Sequence, residues 1–315
     1  MGDRVSNTAS EKKPLIDLAA AKYRQHYIRN TALLVAGIVI ALTAFSVRLT
    51  TTEYTVRSQK IAAPVRLALI TDLHSCYYGE GQKTLVNAIN AAKPDLVLLA
   101  GDICDDEIPN ENTETLLKAI ADRYPCYYVS GNHEIWSGEV EAVKEMFRSY
   151  GVKVLSGETE SITVNGQTLN ICGVDDPDIT KYEHGSLAFS EQLSAVSAAT
   201  ENGNFTLLMS HRPELVIEYD KRSFDLIVSG HAHGGQWRLP FINAGLISPN
   251  QGLFPKYTSG VYQLENSELI VSRGLAREST RLPRIYNRPE LVVITLESEK
   301  QWQNGKSRSA SLPTP

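Results

Sequence analysis

The sequence predicts an α/β fold of two packed, mixed sheets preceded by one apolar helix, and three observations lead to that prediction. Short apolar runs alternate with helical patterns in the first half of the chain, which is typical of repeated βα units with a largely parallel sheet. After about residue 150, strand patterns follow one another with few helices between them, which indicates a second, more mixed sheet packed on the first. An uncharged apolar run at residues 31–47 precedes both.

Composition excludes several classes of protein. The chain has 315 residues and is 42% hydrophobic, which is enough to bury a sizeable core and excludes wholesale disorder. Its 31 basic and 36 acidic residues give a net charge of −5, so nucleic-acid binding is not expected. Four cysteines without CxxC spacing exclude a disulfide scaffold.

The N-terminal region predicts a single-pass membrane anchor. Residues 1–30 form a basic leader and residues 31–48 form the transmembrane anchor, which lies at the short end of what spans a bilayer. The basic flank predicts a cytoplasmic N-terminus and an extracytoplasmic catalytic part in the cell membrane. A cleaved signal peptide is the alternative, but the leader is long and the run lacks a good small-x-small cleavage site.

The first half of the remaining chain predicts buried strands separated by helices. The polar segment 49–63 is either a linker or a first edge strand. Buried strands are predicted at 65–71, 95–100 and 126–130. The helices that follow them are predicted near 81–92, 112–123 and 137–149.

The second half predicts mostly strands. A helix near 187–199 leads to buried strands at 205–210 and 225–229. Strands of the second sheet are predicted near 159–164, 168–173, 259–265, 267–272 and 290–297. The globular domain is therefore expected at 64–298, followed by a flexible polar tail at 299–315.

Five of the apolar runs end directly in a short polar block. The blocks are Thr71-Asp72-Leu73-His74, Gly101-Asp102-Ile103-Cys104-Asp105, Gly131-Asn132-His133-Glu134, Ser210-His211 and Gly230-His231-Ala232-His233. Open α/β sheets bind ligands at the carboxyl ends of their strands. We therefore expect these blocks to meet at one edge and to form the functional site.

The residue types of the blocks point to metal chemistry. Asp, Asn and His form a mixed oxygen and nitrogen ligand set that suits borderline divalent ions such as Mn, Fe or Zn. Seven such ligands exceed the needs of one ion, so two ions that share a carboxylate are expected. Such a pair would hold the attacking and leaving oxygens of a displacement at phosphorus, and its residual positive charge favours an anionic ester.

Each block alone has an ordinary explanation. Asp-x-His and Gly-Asp are common, and a histidine beside an apolar strand is usually a core residue. Here, however, five histidines follow strands in glycine-flanked turns, where loops carry function. The combination therefore favours a ligand site over five unrelated structural features.

The blocks read DxH (72–74), GDxxD (101–105), GNHE (131–134), His211 and GHxH (230–233). In this order they resemble the calcineurin-like metallophosphoesterases over residues 65–297. The chain looks closest to the membrane-associated bacterial branch of the YkuE and YaeI type, through HRPE (211–214), GHAHGGQ (230–236) and the segment at 272–296. The resemblance implies a four-layer αββα sandwich, which agrees with two packed sheets.

The resemblance also implies a role for each site residue. The implied ligands are Asp72, His74 and His233 for the first metal, Asn132, His211 and His231 for the second, and Asp102 as the bridge. His133 would be the non-ligand general acid that assists the leaving group, and Asp105 would orient it. An imidazole suits that role because it titrates near neutrality. A turn cap is the alternative for Asp105.

The sequence departs from one branch of the superfamily, and it contains three arginines that are candidates for binding the substrate. The Ser/Thr protein phosphatases of this superfamily carry GDxVDRG, whereas here Asp105 is followed by Asp106 and Glu107, which argues against that type of phosphatase. Candidate phosphate-binding residues are Arg212, Arg273 and Arg288, since arginine binds phosphate in a bidentate manner. Ordinary structural arginines are the alternative.

The sequence thus predicts a dinuclear-metal phosphoester hydrolase in which a hydroxide between the ions attacks phosphorus. The expected activity is that of a phosphodiesterase or pyrophosphatase on a lipid-linked or cell-envelope substrate, a class that includes UDP-diacylglucosamine-pyrophosphatase-like chemistry. The anchor motivates the substrate class. The alternatives are a phosphomonoesterase and a membrane-anchored, non-catalytic metal-binding module.

Overall fold

A computed structural model describes residues 12–239, 244–277 and 282–299, which fall into two compact units divided after Ser46. The first unit contains the helix α1 (Lys12–Ala44). Its segment Ala21–Ala44 is long and apolar enough to cross a membrane. The helix extends on the N-terminal side of the predicted anchor at 31–48 and ends at Ala44, and the bounds of the anchor itself stay a prediction. Residues 1–11 and 300–315 of the predicted leader and tail lie outside the described residues.

The second unit contains a first sheet with the strand order β1-β14-β2-β3-β4-β5. These strands are β1 (Thr50–Ser58), β2 (Val65–Ile70), β3 (Leu96–Ala100), β4 (Cys126–Val129), β5 (Lys153–Val154) and β14 (Glu290–Ser298). The helices between them are α2 (Lys83–Ala92), α3 (Glu111–Ile120), α4 (Asn132–Trp136) and α5 (Val140–Ser149). β2 to β5 are parallel, as the βα pattern predicts.

A second sheet of the same unit has the order β12-β13-β9-β8-β7-β6. Its strands are β6 (Glu158–Val164), β7 (Gln167–Gly173), β8 (Phe205–Met209), β9 (Leu226–Ser229), β12 (Gly260–Gln263) and β13 (Glu268–Val271). Its helices are α6 (Ile179–Tyr182), α7 (Phe189–Ser197) and α8 (Val216–Asp220), and a small hairpin joins β10 (Ile247–Ser248) to β11 (Gly252–Leu253). The sheet is mixed, because antiparallel edge strands flank four parallel ones.

Strands buried on both faces produce four layers. In β2, Leu67 and Leu69 join the core between the sheets, whereas Ala68 and Ile70 face the helical layer. The core between the sheets also contains residues of β7, β8 and β9, and a third cluster packs the second sheet against α7 and α8. Side chains alternate between faces along a strand, so both faces must be apolar. The fold is therefore the expected αββα sandwich of two mixed sheets.

Two sequence expectations about the edges of the domain need correction or refinement. The strand predicted near 290–297 does not join the second sheet: β14 lies in the first sheet, antiparallel to β2 and parallel to β1. Pattern alone cannot assign a buried strand to one of two apolar sheets. Of the two readings of 49–63, the edge strand is observed, so the sandwich begins before residue 64.

Candidate metal centre

The seven side chains predicted as metal ligands follow the carboxyl ends of parallel strands in both sheets. Asp72 and His74 follow β2, Asp102 follows β3, Asn132 follows β4, His211 follows β8, and His231 and His233 follow β9. Six of the seven are buried, and His233 is 12% exposed. The strand ends thus deliver polar groups into an otherwise apolar interior.

Six of these seven side chains, all except Asn132, form two groups that share one carboxylate. One ligand atom from each of Asp72, His74, Asp102 and His233 lies within 4.8 Å of the others. A second group, Asp102, His211 and His231, meets the same distance limit. A shared carboxylate between two nitrogen and oxygen clusters is the arrangement that a pair of bridged divalent ions requires.

Several donor atoms of the site are left unpaired within the described part of the chain. The buried atoms without a hydrogen-bond partner include Asp72 Oδ2, His74 Nε2, Asn132 Oδ1 and His233 Nδ1, whereas Asp102 Oδ2 and His211 Nε2 face each other at 2.9 Å. Buried polar atoms in native proteins are nearly always paired, because desolvation without a partner is costly. Oxygen and nitrogen atoms whose lone pairs point to one place without a partner can bind a cation there. The residues of this site are therefore suited to bind a divalent metal ion.

Hydrogen bonds on the far side of the rings orient two of the histidines. Nδ1 of His211 lies 2.9 Å from the backbone oxygen of Ala100, so Nδ1 carries a hydrogen and donates it to this oxygen. When the ring is neutral, Nε2 therefore has a free lone pair, which points toward Asp102. Nε2 of His231 donates to Oδ1 of Asn250 at 2.9 Å, which leaves Nδ1 for a metal. Such partners fix the tautomer of metal-binding histidines.

The electrostatics of the site favour positive charge at its centre. Burial alone would lower the pKa of His211, but the carboxylates of Asp102 and Asp72 raise it to about 10. Burial and the neighbouring His211 lower the pKa of His231 to about 3, so that ring stays neutral. A neutral imidazole is the form that binds metal. The carboxylates therefore attract a cation while His231 remains a competent ligand.

The ligand loops have a strained backbone. Five of the seven residues have a left-handed conformation with φ between 44° and 62°, which non-glycine residues rarely adopt: Asp72, His74, Asp102, His231 and His233. Such strain clusters at functional sites. Gly101 (φ 83°) and Gly131 let the loops approach closely, since a Cβ on Gly101 would overlap the His211 ring and one on Gly131 the Asp102 carboxylate.

Glu134 connects the loops that follow β3 and β4. Its buried carboxylate accepts backbone N–H groups from Asp102 (3.0 Å), Ile103 (2.6 Å), Cys104 (2.9 Å) and Gly131 (2.8 Å). Burial and the Asp102 carboxylate raise the pKa of Glu134 to about 7, against the effect of these donors. Glu134 therefore holds the loops after β3 and β4 together.

His133 lies outside the two groups that share Asp102, and it forms a third cluster with His74 and Asp105. Its ring is 26% exposed, it faces the cavity described below, and its backbone N–H donates to Asp102 Oδ1 at 2.9 Å. Nδ1 of His133 lies 2.6 Å from Oδ1 of Asp106. This position suits a group that exchanges a proton with a bound ester.

Asp105 differs from its expected role as the partner of His133. Its Oδ2 accepts from His74 Nδ1 at 2.9 Å and lies 3.8 Å from His133 Nδ1. Asp105 also caps its own turn by accepting the N–H groups of Glu107 and Ile108. The next residue, Asp106, takes the place beside His133, because the turn directs the two neighbouring side chains to different histidines.

A cavity of about 650 Å³ opens beside the ligands. Its polar lining residues are His74, His133, His233, Gln236, Ser248, Asp105, Asp106 and Glu107. Its less polar lining residues are Trp136, Ile247, Pro249 and Leu282, and we call the last three the apolar wall. Among the described residues, no arginine or lysine lines it. The cavity lining thus contains acidic and histidine side chains as well as apolar ones.

The three predicted substrate arginines have other partners in the structure. Arg212 is buried and binds Asp176 at 2.6 Å and 2.8 Å, and Asp178 at 3.0 Å. Nε of Arg273 donates to Glu290 at 2.9 Å, and Arg288 donates to two backbone oxygens near the start of β1. Bidentate geometry suits carboxylate as well as phosphate, so sequence could not separate the two.

Sequence reasoning missed three residues that hold the site. Asp106 was noted only as a departure from a phosphatase pattern, although an extra acid beside GDxxD was a signal. Asn250 contacts His231, and Asn287 donates to the backbone oxygen of His233 at 2.7 Å. Both reach the site from distant loops, so no local pattern could reveal them.

Comparisons with known proteins agree with this site. The profile of the calcineurin-like phosphoesterase family matches residues 65–235. A Bacillus subtilis protein, the uncharacterized metallophosphoesterase YkuE, is 30% identical over 79% of this chain and 85% of its own length. A Bos taurus transmembrane protein with a metallophosphoesterase domain is 26% identical over 74% of this chain and 53% of its own.

Among solved structures, Haemophilus influenzae NAD nucleotidase is similar with a TM-score of 0.49 and 18% identity over 68% of this chain. The alignment covers 45% of that chain, so the present chain spans less than half of its length.

Fold, ligand set and family profile together define a metal-dependent hydrolase of phosphoester bonds. The chain belongs to the calcineurin-like phosphoesterase family, and its relatives include the YkuE type expected from the sequence.

Proposed function

We propose that this chain is a dinuclear-metal phosphodiesterase or pyrophosphatase that acts on a lipid-linked or cell-envelope substrate. The observation that supports it most strongly is the convergence of buried ligand atoms, several of them unpaired, in two groups that share Asp102. One ion would satisfy only one group, whereas two ions would satisfy both.

The proposed ligand assignment follows the two groups. Asp72, His74 and His233 would hold the first ion, Asn132, His211 and His231 the second, and Asp102 both. When bound, Mn, Fe or Zn ions supply positive charge that stabilises the attacking and leaving oxygens at phosphorus. Asp105 keeps the Nε2 lone pair of His74 turned inward, and Asn250 does the same for Nδ1 of His231.

His133 is proposed as the proton donor to the leaving oxygen. Its Nδ1–H donates to the Asp106 carboxylate, which fixes the ring and leaves Nε2 for the ester. A general acid must present its proton to the leaving oxygen, and Nε2 is the nitrogen that this hydrogen bond leaves for that contact. Trp136 packs 5.1 Å from the ring of His133 and limits its rotation.

The cavity walls favour a diester over a monoester. A phosphomonoester carries more negative charge, and the acidic side chains of Asp105, Asp106 and Glu107 would repel it. A diester or pyrophosphate also places a second substituent beside phosphorus, and the apolar wall that includes Ile247 and Leu282 can receive one. That wall supports a lipid-linked substrate.

Localisation is proposed as single-pass, with the catalytic unit outside the cytoplasm. Lys22, Arg24 and Arg29 lie at the N-terminal side of the apolar run, and basic residues flank the cytoplasmic ends of membrane helices. A C-terminal alkaline phosphatase fusion should be active, and a C-terminal fusion active only in the cytoplasm would reverse the orientation.

Relative rates on two soluble esters test the proposed activity. Full-length protein in detergent is stripped with chelator, reloaded with Mn, and assayed on bis-p-nitrophenyl phosphate and p-nitrophenyl phosphate. We expect chelator-sensitive turnover that Mn restores, with the diester hydrolysed faster. Faster turnover of the monoester would favour the phosphomonoesterase alternative, and no turnover of either would contradict both.

A further inference from the structure

Five exposed apolar side chains belong to segments that adjoin residues of the cavity lining. They are Trp237, Leu239, Leu253, Phe254 and Leu282, and between 36% and 76% of each is exposed. We call them the apolar rim. Contiguous exposed apolar residues beside a binding site mark a surface that meets a protein or a membrane.

Backbone contacts hold the rim together. The N–H of Leu246 donates to Trp237 O at 2.8 Å, and the N–H of Phe254 donates to Leu246 O at 2.9 Å. The Trp237 indole donates to Pro283 O at 2.9 Å, next to Leu282. The rim therefore consists of adjoining segments and is not a set of scattered exposed residues.

The rim is continuous with the apolar wall of the cavity. Leu253 of β11 pairs with Ile247 of β10, and Ile247 lines the cavity. Leu282 belongs to both the rim and the wall. A long apolar group that leaves the cavity along this wall would therefore pass directly onto the rim.

Strand directions place the start of the catalytic unit at the same edge as the metal centre. β1 is parallel to β14, and β14 is antiparallel to β2. Thr50, the first residue of β1, therefore lies at the edge where β2 ends and Asp72 follows. The chain thus joins the sandwich on its catalytic side.

Arg288 binds the backbone at the junction between the apolar helix and β1, at residues 48 and 49. Its guanidinium donates to the backbone oxygens of Arg48 (2.8 Å) and Leu49 (3.0 Å). The neighbouring Asn287 donates to the backbone oxygen of His233. Two consecutive residues therefore connect the first residues of the unit with a loop that carries a proposed metal ligand.

The chain just before this junction contains the apolar helix segment Ala21–Ala44. Residues 45–49 connect the helix to β1 and can span roughly 20 Å at most. We propose that the apolar rim rests on the lipid bilayer crossed by this helix, so that the cavity receives a phosphoester group at the membrane surface. The expectation that the substrate is carried by a lipid rests on the proposed function, whereas the contact between the rim and the bilayer does not depend on it.

The chemistry of the rim suits a bilayer. Lys256 is exposed two residues after Phe254, where its ammonium can meet anionic headgroups while the ring enters the acyl region. Trp237 has an indole suited to the boundary between headgroups and acyl chains.

Site-directed spin labelling tests the contact directly. All four native cysteines are buried, so a nitroxide attaches selectively to Phe254→Cys in the full-length chain. The protein is reconstituted in vesicles of phosphatidylethanolamine and phosphatidylglycerol, and collision rates with oxygen and with a water-soluble nickel chelate are measured. The matched control is Ile217→Cys, since Ile217 is 68% exposed on α8 and belongs to none of the segments that form the rim.

We expect the label at 254 to collide several-fold more often with oxygen than with the nickel chelate, and the label at 217 to show the reverse. Leu253→Cys should behave like Phe254→Cys, which guards against one poorly folded variant. The proposal would be overturned if the nickel chelate reached the label at 254 as readily as the label at 217. It would also be overturned if protection of the label at 254 from the chelate depended on protein concentration and not on lipid. The labels report without turnover, so hydrolysis of bis-p-nitrophenyl phosphate separately decides the proposed function.

Discussion

The two ligand groups differ in what holds the far nitrogens of their histidines. In the first group, the Asp105 carboxylate accepts from His74 at 2.9 Å. In the second group, neutral oxygens of Ala100 and Asn250 accept from His211 and His231 at the same distance. A carboxylate partner makes an imidazole more basic than a neutral partner does. We therefore expect the first group to bind its ion more tightly and the second to exchange it more readily.

The largest effect should come from removing what the two groups share. Asp102→Asn weakens both groups at once, because the bridging carboxylate belongs to each. We expect turnover of bis-p-nitrophenyl phosphate to fall by roughly 10³-fold, with metal lost from both groups. Elemental analysis checks the metal content. Full metal content with normal turnover would remove Asp102 from the bridge.

The next largest effect separates chemistry from metal binding. His133→Ala should lower turnover by about 10²-fold while metal content stays constant, since His133 lies outside the two groups that share Asp102. Asp106→Asn should share part of this loss, whereas Glu107→Gln should not, because only Asp106 contacts the ring. The losses should grow with poorer leaving groups. Stoichiometric loss of metal in His133→Ala would contradict the proton-donor assignment.

A smaller effect should distinguish the two groups themselves. Asp105→Asn and Asn250→Ala each remove a partner of a ligand histidine and should weaken metal binding by about 10- to 100-fold. Titration with Mn should show the tighter step weakened by Asp105→Asn and the weaker step by Asn250→Ala. If both substitutions changed the same step, the comparison between the groups would fail.

The stability of a variant should show whether Arg212 has a structural role or binds the substrate. Arg212→Met leaves Asp176 buried without its partner, so the free energy of unfolding should fall by about 3–5 kcal/mol in urea titrations. Arg148→Met is the matched control, since its pair with Glu145 is exposed and should matter little. An unchanged free energy together with a raised KM would restore Arg212 as a substrate residue.

The last predicted effect is a pH dependence of the metal-free protein. The pKa of His211 is raised from 6.5 to about 10 by Asp102 and Asp72, against the effect of burial. A raised pKa stabilises the fold below pH 6.5, and that contribution is lost as pH rises toward 10. The Tm of chelated protein should therefore fall across this range. Mn-loaded protein should lack this decline, and parallel curves would contradict the account.

Local patterns predicted most strands and brought out the residues that meet in the two groups around Asp102, because both follow from side-chain chemistry near one point in the chain. A strand whose residues are all apolar must be buried on both faces, so it can be recognised from its own sequence. The polar blocks directly follow these runs in the sequence and can be recognised in the same way. The position of β14 could not be predicted, since either sheet satisfies its apolar faces. The partners of Arg212 and the roles of Asp106 and Asn250 depend on contacts between distant loops or on the direction of one turn. Those contacts exist only in the folded chain.

Electron paramagnetic resonance of the Mn-loaded, full-length protein tests the central claim most directly. Two Mn ions bridged by Asp102 would couple magnetically, so the account predicts a broad exchange-coupled spectrum that Asp102→Asn abolishes. A six-line spectrum of isolated Mn in the unaltered protein, at saturating metal, would contradict a dinuclear centre.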